Sequence, residues 1–137
     1  MIRTFALIFG VAFALGGIAG FFPQFLTPPS EHLDVGMNHG VLFGLFPINI
    51  PHNIIHLLFG LWGLAASRSI GGSRGYFQAV AVIYGLLAVL SQIPQTNTTF
   101  GFVPNYGYDL WLHLGLAVVA AYFGFIHRER ASDVRRG

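Results

Sequence analysis

The chain has 137 residues, of which 54% are hydrophobic and 9% are charged, and its formal charge is +2. About a quarter of the residues in a soluble domain are charged, so this composition excludes a water-exposed globule. The small, dispersed net charge excludes a nucleic-acid-binding surface. Cysteine is absent, which excludes disulfides, thiolate metal sites and cysteine nucleophiles. The length allows one domain.

Four apolar stretches are long enough to cross a bilayer, whose hydrocarbon core of about 30 Å needs roughly 20 helical residues. Proline, glycine or charged residues bound each stretch. The predicted spans cover approximately residues 5–26, 51–67, 76–93 and 109–127. We therefore predict that residues 1–127 form a single all-α domain, an integral membrane four-helix bundle made of two tandem helical hairpins. Residues 128–137 are predicted to be a basic tail.

The first span carries two further signals. Arg3 followed by an apolar stretch is also typical of a cleaved signal peptide, but the stretch exceeds the usual apolar region of about 7 to 15 residues, which favours a retained helix. Small residues recur every fourth position, at Ala12, Gly16 and Gly20. Because small residues let helices approach closely in lipid, we expect this face to pack on another helix.

The arginines fix the predicted orientation. All seven fall on one side of the four spans, at positions 3, 68, 74, 128, 130, 135 and 136. Glu31, Asp34 and Asp109 fall on the other side. Because short cytoplasmic segments collect basic residues, both termini are predicted to be cytoplasmic.

An internal duplication is predicted from a repeat with an offset of 57 residues. Residues 43–47 (FGLFP) align with residues 100–104 (FGFVP). The same offset aligns His52 with Asp109 and His56 with His113. Two hairpins copied in tandem have the same orientation, so aligned residues should lie at equal depth. The alternative is a coincidence among phenylalanine, glycine and proline in similar loops.

Polar side chains at the outer ends of the spans form the candidate site, because ionisable groups within a membrane are rare and mark function. Helices two and four each open with polar residues on one face. Those of helix two are Asn49, His52, Asn53 and His56, and those of helix four are Asp109 and His113. Gln92, near the outer end of helix three, is a candidate for the same cavity. His32 and His39, in the long outer loop, are weaker candidates.

Three interpretations of this constellation stay open, and a proton or ligand path is a fourth. The preferred one is a hydrogen-bonded network, since a polar atom in hydrocarbon needs a partner. The second is a divalent metal ion bound by His52, His56, His113 and Asp109. The third is haem b between His56 and His113.

Residues 43–67 (FGLFPINIPHNIIHLLFGLWGLAAS) and 109–124 (DLWLHLGLAVVAAYFG) resemble a bacterial family of small four-helix integral membrane proteins that is catalogued as a domain of unknown function. The most specific similarity lies in the asparagine-histidine start of helix two and the aspartate-histidine start of helix four. The resemblance implies four helices and a bacterial membrane, plasma or internal. It implies no activity and no catalytic residue.

We predict from these features a multi-pass membrane protein without enzymatic activity, which acts as an accessory or assembly subunit with a histidine-lined cavity near the outer face. The alternative is a metal- or haem-binding membrane protein in transport, sensing or electron transfer, and a weaker one is an oxidoreductase. The expected partners are the lipid bilayer and either another membrane protein or a second copy of the chain, with no nucleic acid.

Overall fold

The computed structural model describes residues 1–29, 35 and 39–129. These residues form four α-helices, α1 (Ile2–Ala19), α2 (Ile50–Ala66), α3 (Ile70–Leu90) and α4 (Asp109–Ala121), and α4 continues as a π-helical turn over Tyr122–Ile126. The predicted all-α four-helix class is therefore confirmed. Six charged or histidine positions used in the sequence analysis lie outside the described residues: Glu31, His32, Asp34, Arg130, Arg135 and Arg136.

Three of the helices are long and apolar enough to cross a membrane, namely Ile2–Ala19, Ile70–Leu90 and Asp109–Ile126. The remaining helix, α2, is apolar but has 17 residues, which at 1.5 Å per residue reach about 25 Å. Large apolar side chains on the outside of every helix are exposed, including Leu15, Leu58, Val82 and Val118. An exposed apolar surface of this extent is what lipid contact requires and is rare on soluble monomers.

Two of the four helices, α2 and α3, start at a residue whose side chain caps them. Asn49 precedes α2, and its side chain accepts a hydrogen bond from the backbone N–H of His52. Ser69 precedes α3 and accepts one from the N–H of Gly72. α3 therefore starts at Ile70 and not at the predicted residue 76, since the glycine-rich segment after Ser69 belongs to the helix. Capped ends satisfy backbone donors that a helix leaves unpaired.

Two helical hairpins build the bundle, as predicted: α1 packs chiefly on α2, and α3 chiefly on α4. The α1–α2 contact depends on glycines, since a Cβ at Gly10 would lie 2.6 Å from the backbone nitrogen of Leu64 and a Cβ at Gly60 would lie 2.7 Å from that of Ala14. The expected seam of Ala12, Gly16 and Gly20 is therefore correct in part, since Gly16 and Gly20 face α2. Ala12 is exposed, and only Gly20 of the three is tightly packed.

The first outer connection contains a small antiparallel sheet that the all-α prediction did not include. Its strands are β1 (Leu26–Thr27), β2 (Gly40–Leu42) and β3 (Phe46–Ile48), in the order β1-β2-β3. The β2–β3 turn has positive φ at Phe43 (53°) and Gly44 (70°). Phe100 (59°) and Gly101 (82°), with which the sequence aligns them, share this conformation. The duplication itself stays a prediction.

The bundle has two distinct ends. At the first, which we call the arginine end, Arg3 donates to the Ser67 carbonyl and Arg74 to the His127 carbonyl. The second, the sheet end, holds β1–β3 and the starts of α2 and α4. An apolar core that includes Ile2, Phe9, Tyr76, Phe77 and Phe123 fills the bundle toward the arginine end. The buried polar residues Asn49, His52, Asn105, Asp109 and His113 lie toward the sheet end.

Candidate functional site

The start of α2 is held by a fully satisfied asparagine. Asn49 has no exposed surface. Its Oδ1 accepts from the N–H of His52 at 3.0 Å, and its Nδ2 donates to the carbonyls of Phe102 at 2.9 Å and Val35 at 3.2 Å. Asn49 therefore fixes the first turn of α2 against both outer connections and so positions His52.

Three ionisable side chains meet between α2 and α4. His52, Asp109 and His113 each offer one ligand atom, and these atoms all lie within 4.8 Å of one another. The three residues are 5%, 1% and 2% exposed. We call this group the His–Asp cluster.

Asp109 is buried without a cation beside it. The described residues form two ion pairs, and both involve Glu129 at the arginine end, not Asp109. Oδ2 of Asp109 also has no hydrogen-bond partner among the described residues. Moving an isolated carboxylate out of water is costly unless it is paired, bound to a metal or protonated. Asp109 therefore needs a proton, a charged partner or a metal ion at this position.

His113 is held by packing and keeps a free nitrogen. Its ring meets Tyr84 edge to face, with centroids 5.0 Å apart. Its Nδ1 is buried and has no hydrogen-bond partner among the described residues. Both Asp109 and His113 thus present polar atoms that a protein-only network leaves unsatisfied.

His56 lies beside the cluster and contacts His52. The Nε2 atoms of the two histidines are 3.1 Å apart, which is hydrogen-bond distance, and the His56 ring packs on Phe13. His56 is not one of the three residues that come together. The structure therefore brings together three members of the predicted four-residue metal set, and the fourth, His56, lies next to His52.

The two remaining predicted cavity residues differ in where they lie. Asn53 is buried, packs on Gly20 of α1 and borders a cavity that His52, His56 and Asp109 also line. Gln92 is exposed, and its Nε2 donates to Ser91 Oγ at 3.1 Å. The expectation that Gln92 faces the cavity is wrong, because α3 ends at Leu90 and Gln92 lies in the exposed turn that follows.

Two cavities flank the His–Asp cluster. A cavity of about 100 Å³ borders His52, His56 and His113, and its other walls include Tyr84, Thr99 and Asn105. A larger cavity of about 310 Å³ borders His52, His56 and Asp109 and is otherwise lined mostly by apolar side chains of α1, α4 and the sheet. Sequence reasoning missed Tyr84, Thr99 and Asn105, because nothing in their local pattern separates them from ordinary packing or loop residues.

His39, the loop histidine that the structure describes, also lies outside the cluster. Its Nε2 is 3.0 Å from the hydroxyl oxygen of Tyr106. Burial lowers the pKa of His39, so its ring is held as the neutral imidazole at neutral pH. His39 links the two outer connections and supplies no ligand to the cluster.

Comparison with known proteins agrees with the resemblance seen in the sequence. A family model described as a domain of unknown function, DUF4383, matches residues 3–126. No curated protein and no solved structure matches the chain.

Proposed function

We propose that this chain, which belongs to the DUF4383 family, is a membrane protein that binds a divalent metal ion through His52, Asp109 and His113. Two imidazoles and one carboxylate form a donor set that suits zinc and several other divalent transition metals. The protein would hold the ion inside the bundle, near the sheet end.

One observation carries the proposal: three buried ligand groups from two hairpins lie within 4.8 Å of one another, and Asp109 Oδ2 and His113 Nδ1 have no hydrogen-bond partner among the described residues. Ligand atoms around a tetrahedral ion with bonds of 2.0–2.2 Å are about 3.4 Å apart. Small side-chain rotations would close the difference. The ion would also offset the cost of burying Asp109 as a carboxylate.

The hydrogen-bonded network that the sequence favoured explains fewer of the buried polar atoms than the metal proposal does. It explains the contact between His52 and His56. It gives no partner among the described residues to Asp109 Oδ2 or His113 Nδ1. Haem b is also less well supported, because its two predicted axial ligands were His56 and His113, and the Nε2 of His56 already contacts His52.

We further propose that the arginine end faces the cytoplasm of a bacterial cell, so that both termini are cytoplasmic and the metal ion lies near the outer surface. The support is that Arg3, Arg68 and Arg74 all lie at one end, while Asp109 lies at the other. Short cytoplasmic segments of membrane proteins carry this excess of basic residues.

An accessory or assembly role without enzymatic activity stays a second proposal, with a membrane protein or a second copy of the chain as partner. Its support is the extent of exposed apolar surface on all four helices, since in lipid such surfaces meet other helices as well as acyl chains. Purification as a stable monomer with no accompanying protein would count against it.

Metal analysis of protein purified in detergent without a polyhistidine tag tests the metal proposal. After stripping and reloading with Co²⁺ or Zn²⁺, we expect one ion per chain, and Asp109→Asn or His113→Gln should weaken binding at least about tenfold. His39→Gln is the matched control, since His39 lies outside the cluster. Sub-stoichiometric metal in the wild type, or equal binding by wild type and cluster variants, would contradict the proposal.

A further inference from the structure

A wide recess at the arginine end, opposite the end that holds the His–Asp cluster, has two arginines on its wall. Its volume is about 550 Å³, and it lies between the start of α1 and the turn from α2 to α3. Arg3 and Arg68 line the recess together with Thr4, Leu7 and Ile70. Both arginines are exposed, so these basic side chains are accessible from outside the protein.

The two guanidinium groups have unused hydrogen-bond donors. Nε of Arg3 donates to the Ser67 carbonyl at 3.0 Å, and the other four of its five N–H groups have no partner in the described part of the chain. Arg68 makes no hydrogen bond or ion pair with any described residue. Because Ser67 and Arg68 are consecutive, the bond from Arg3 to Ser67 brings both positive charges to the same recess.

A carboxylate on the same wall does not neutralise the arginines. Glu129 lines the recess, but its Oε1 accepts from the backbone N–H of Ile2 at 2.7 Å. The same oxygen lies 3.3 Å from the Met1 ammonium group and 3.2 Å from Nε2 of His127. The recess therefore keeps an excess of positive charge. The N-terminus of α3, which begins at Ile70 on the wall, adds a partial positive charge.

The recess continues from charged groups to apolar surface. Leu7 follows Arg3 by one helical turn, so it lies on the same face of α1 and about 6 Å further along the helix. Its side chain is 46% exposed. In a bilayer, the charged end of such a helix lies among the lipid headgroups, and the next turns lie among the acyl chains. A matching ligand therefore has an anionic head and an apolar tail, which free phosphate lacks.

We propose that this recess binds an anionic phospholipid, with its phosphate between Arg3 and Arg68 and one acyl chain along Leu7. The inference rests on the membrane insertion in the proposed function and not on the metal ion. Guanidinium groups bind phosphate oxygens through paired N–H donors, and basic pockets between membrane helices bind anionic headgroups. A lipid held here would bridge α1 and the turn from α2 to α3.

Native mass spectrometry of the detergent-purified chain tests the inference. The protein is titrated with phosphatidylglycerol or with phosphatidylcholine that has identical acyl chains. We expect one phosphatidylglycerol to bind in preference to phosphatidylcholine. Inorganic phosphate at the same concentration as the lipid should not displace it, because phosphate gains no acyl-chain contact.

Arg68→Gln tests the site, because it removes a charge without removing a described contact of the fold. We expect the dissociation constant for phosphatidylglycerol to rise about fivefold, the usual effect of one basic residue beside an anionic headgroup. Arg3→Gln should weaken binding at least as much. Arg128→Gln is the matched control, since Arg128 is exposed at the same end but does not line the recess, and it should bind phosphatidylglycerol as the wild type does.

The other outcomes overturn the inference in different ways. Equal affinity of the wild type for the two lipids, or unchanged phosphatidylglycerol binding in both Arg68→Gln and Arg3→Gln, overturns it directly. An equal loss in Arg128→Gln indicates diffuse attraction by the basic end and overturns the assignment to this recess. Displacement by inorganic phosphate overturns the lipid and leaves an anion site. All of these results leave the metal proposal intact, whereas failure of the protein to insert into liposomes overturns membrane insertion as well.

Discussion

His52 and Asp109, which stand 57 residues apart in two different hairpins, bury their side chains against each other with ligand atoms less than 4.8 Å apart. Neither helix alone contains the pair. The contact depends on Asn49, which fixes the start of α2 by three hydrogen bonds. The His–Asp cluster is therefore a product of how the two hairpins dock.

Metal removal should lower the stability of the wild-type protein. A ligand that binds only the folded state, at 100 times its dissociation constant, contributes about 2.7 kcal/mol. We expect a chelator to reduce the free energy of unfolding by about that amount. In Asp109→Asn the chelator should have no effect, while His39→Gln should respond as the wild type does. An equal response of wild type and Asp109→Asn would remove the link between metal and cluster.

Asn49→Ala should be more damaging than the loss of an ordinary helix cap. It removes the cap of α2 and leaves the carbonyls of Val35 and Phe102 without the Asn49 donor, so we expect a loss of about 2–4 kcal/mol. Ser69→Ala is the control, because Ser69 caps α3 at an exposed position and should cost about 1 kcal/mol. Denaturation in mixed micelles measures both, and equal losses would show that the two tertiary bonds contribute nothing.

Gly10→Ala should disrupt the α1–α2 contact. The new Cβ would lie 2.6 Å from the Leu64 backbone nitrogen and 2.9 Å from the Gly63 carbonyl carbon, so backbones must separate, at about 1–3 kcal/mol. Gly16→Ala on the same helix is the control, since its Cβ meets only the His56 ring, at 3.7 Å. We expect Gly16→Ala to be neutral or slightly stabilising. A larger loss of stability in Gly16→Ala than in Gly10→Ala would contradict the close contact at Gly10.

Glu129 should give the protein an acid-dependent loss of stability at the arginine end. The backbone N–H of Ile2, 2.7 Å from Oε1, holds the pKa of this carboxyl below its usual range, and a hydrogen bond with His127 lowers it further. A carboxyl with a lowered folded pKa stabilises the fold above its unfolded pKa of about 4.3, and the contribution is lost as pH falls through the folded pKa. Thermal unfolding of Glu129→Gln should therefore depend less on pH below about pH 4 than that of the wild type.

Single cysteines can establish the orientation, because the chain has none of its own. Phe100, at the sheet end, and Arg68, at the arginine end, are both exposed. A membrane-impermeant maleimide applied to intact bacterial spheroplasts should label Phe100→Cys and should label Arg68→Cys only after lysis. The opposite pattern would invert the proposed topology.

The sequence by itself determined the number of helices, the extents of α2 and of α4 with its π-helical turn to within about one residue, and the polar starts of these two helices. The predicted end of the first span at residue 26 is wrong, because α1 ends at Ala19 and the chain then enters the short strand β1. The correctly predicted features are local: a helix in lipid must satisfy its backbone within one apolar segment, so segment length and capping residues are enough to predict it. The His52, Asp109 and His113 candidates came from the same local pattern. The two-hairpin arrangement was predicted from the repeat with an offset of 57 residues.

Only the tertiary structure decided which way each helix turns. It leaves Gln92 exposed beyond the end of α3, places His56 beside His52, adds Gly10 to the α1 seam, and brings Thr99 and Asn105 from a loop to the wall of the small cavity. The physical reason is that these helices are apolar on nearly every side, so the amphipathic stripe that orients a helix in a soluble protein is weak. In lipid, rotation about the helix axis is set by the fit between neighbouring helices, and that fit is not written in any one segment.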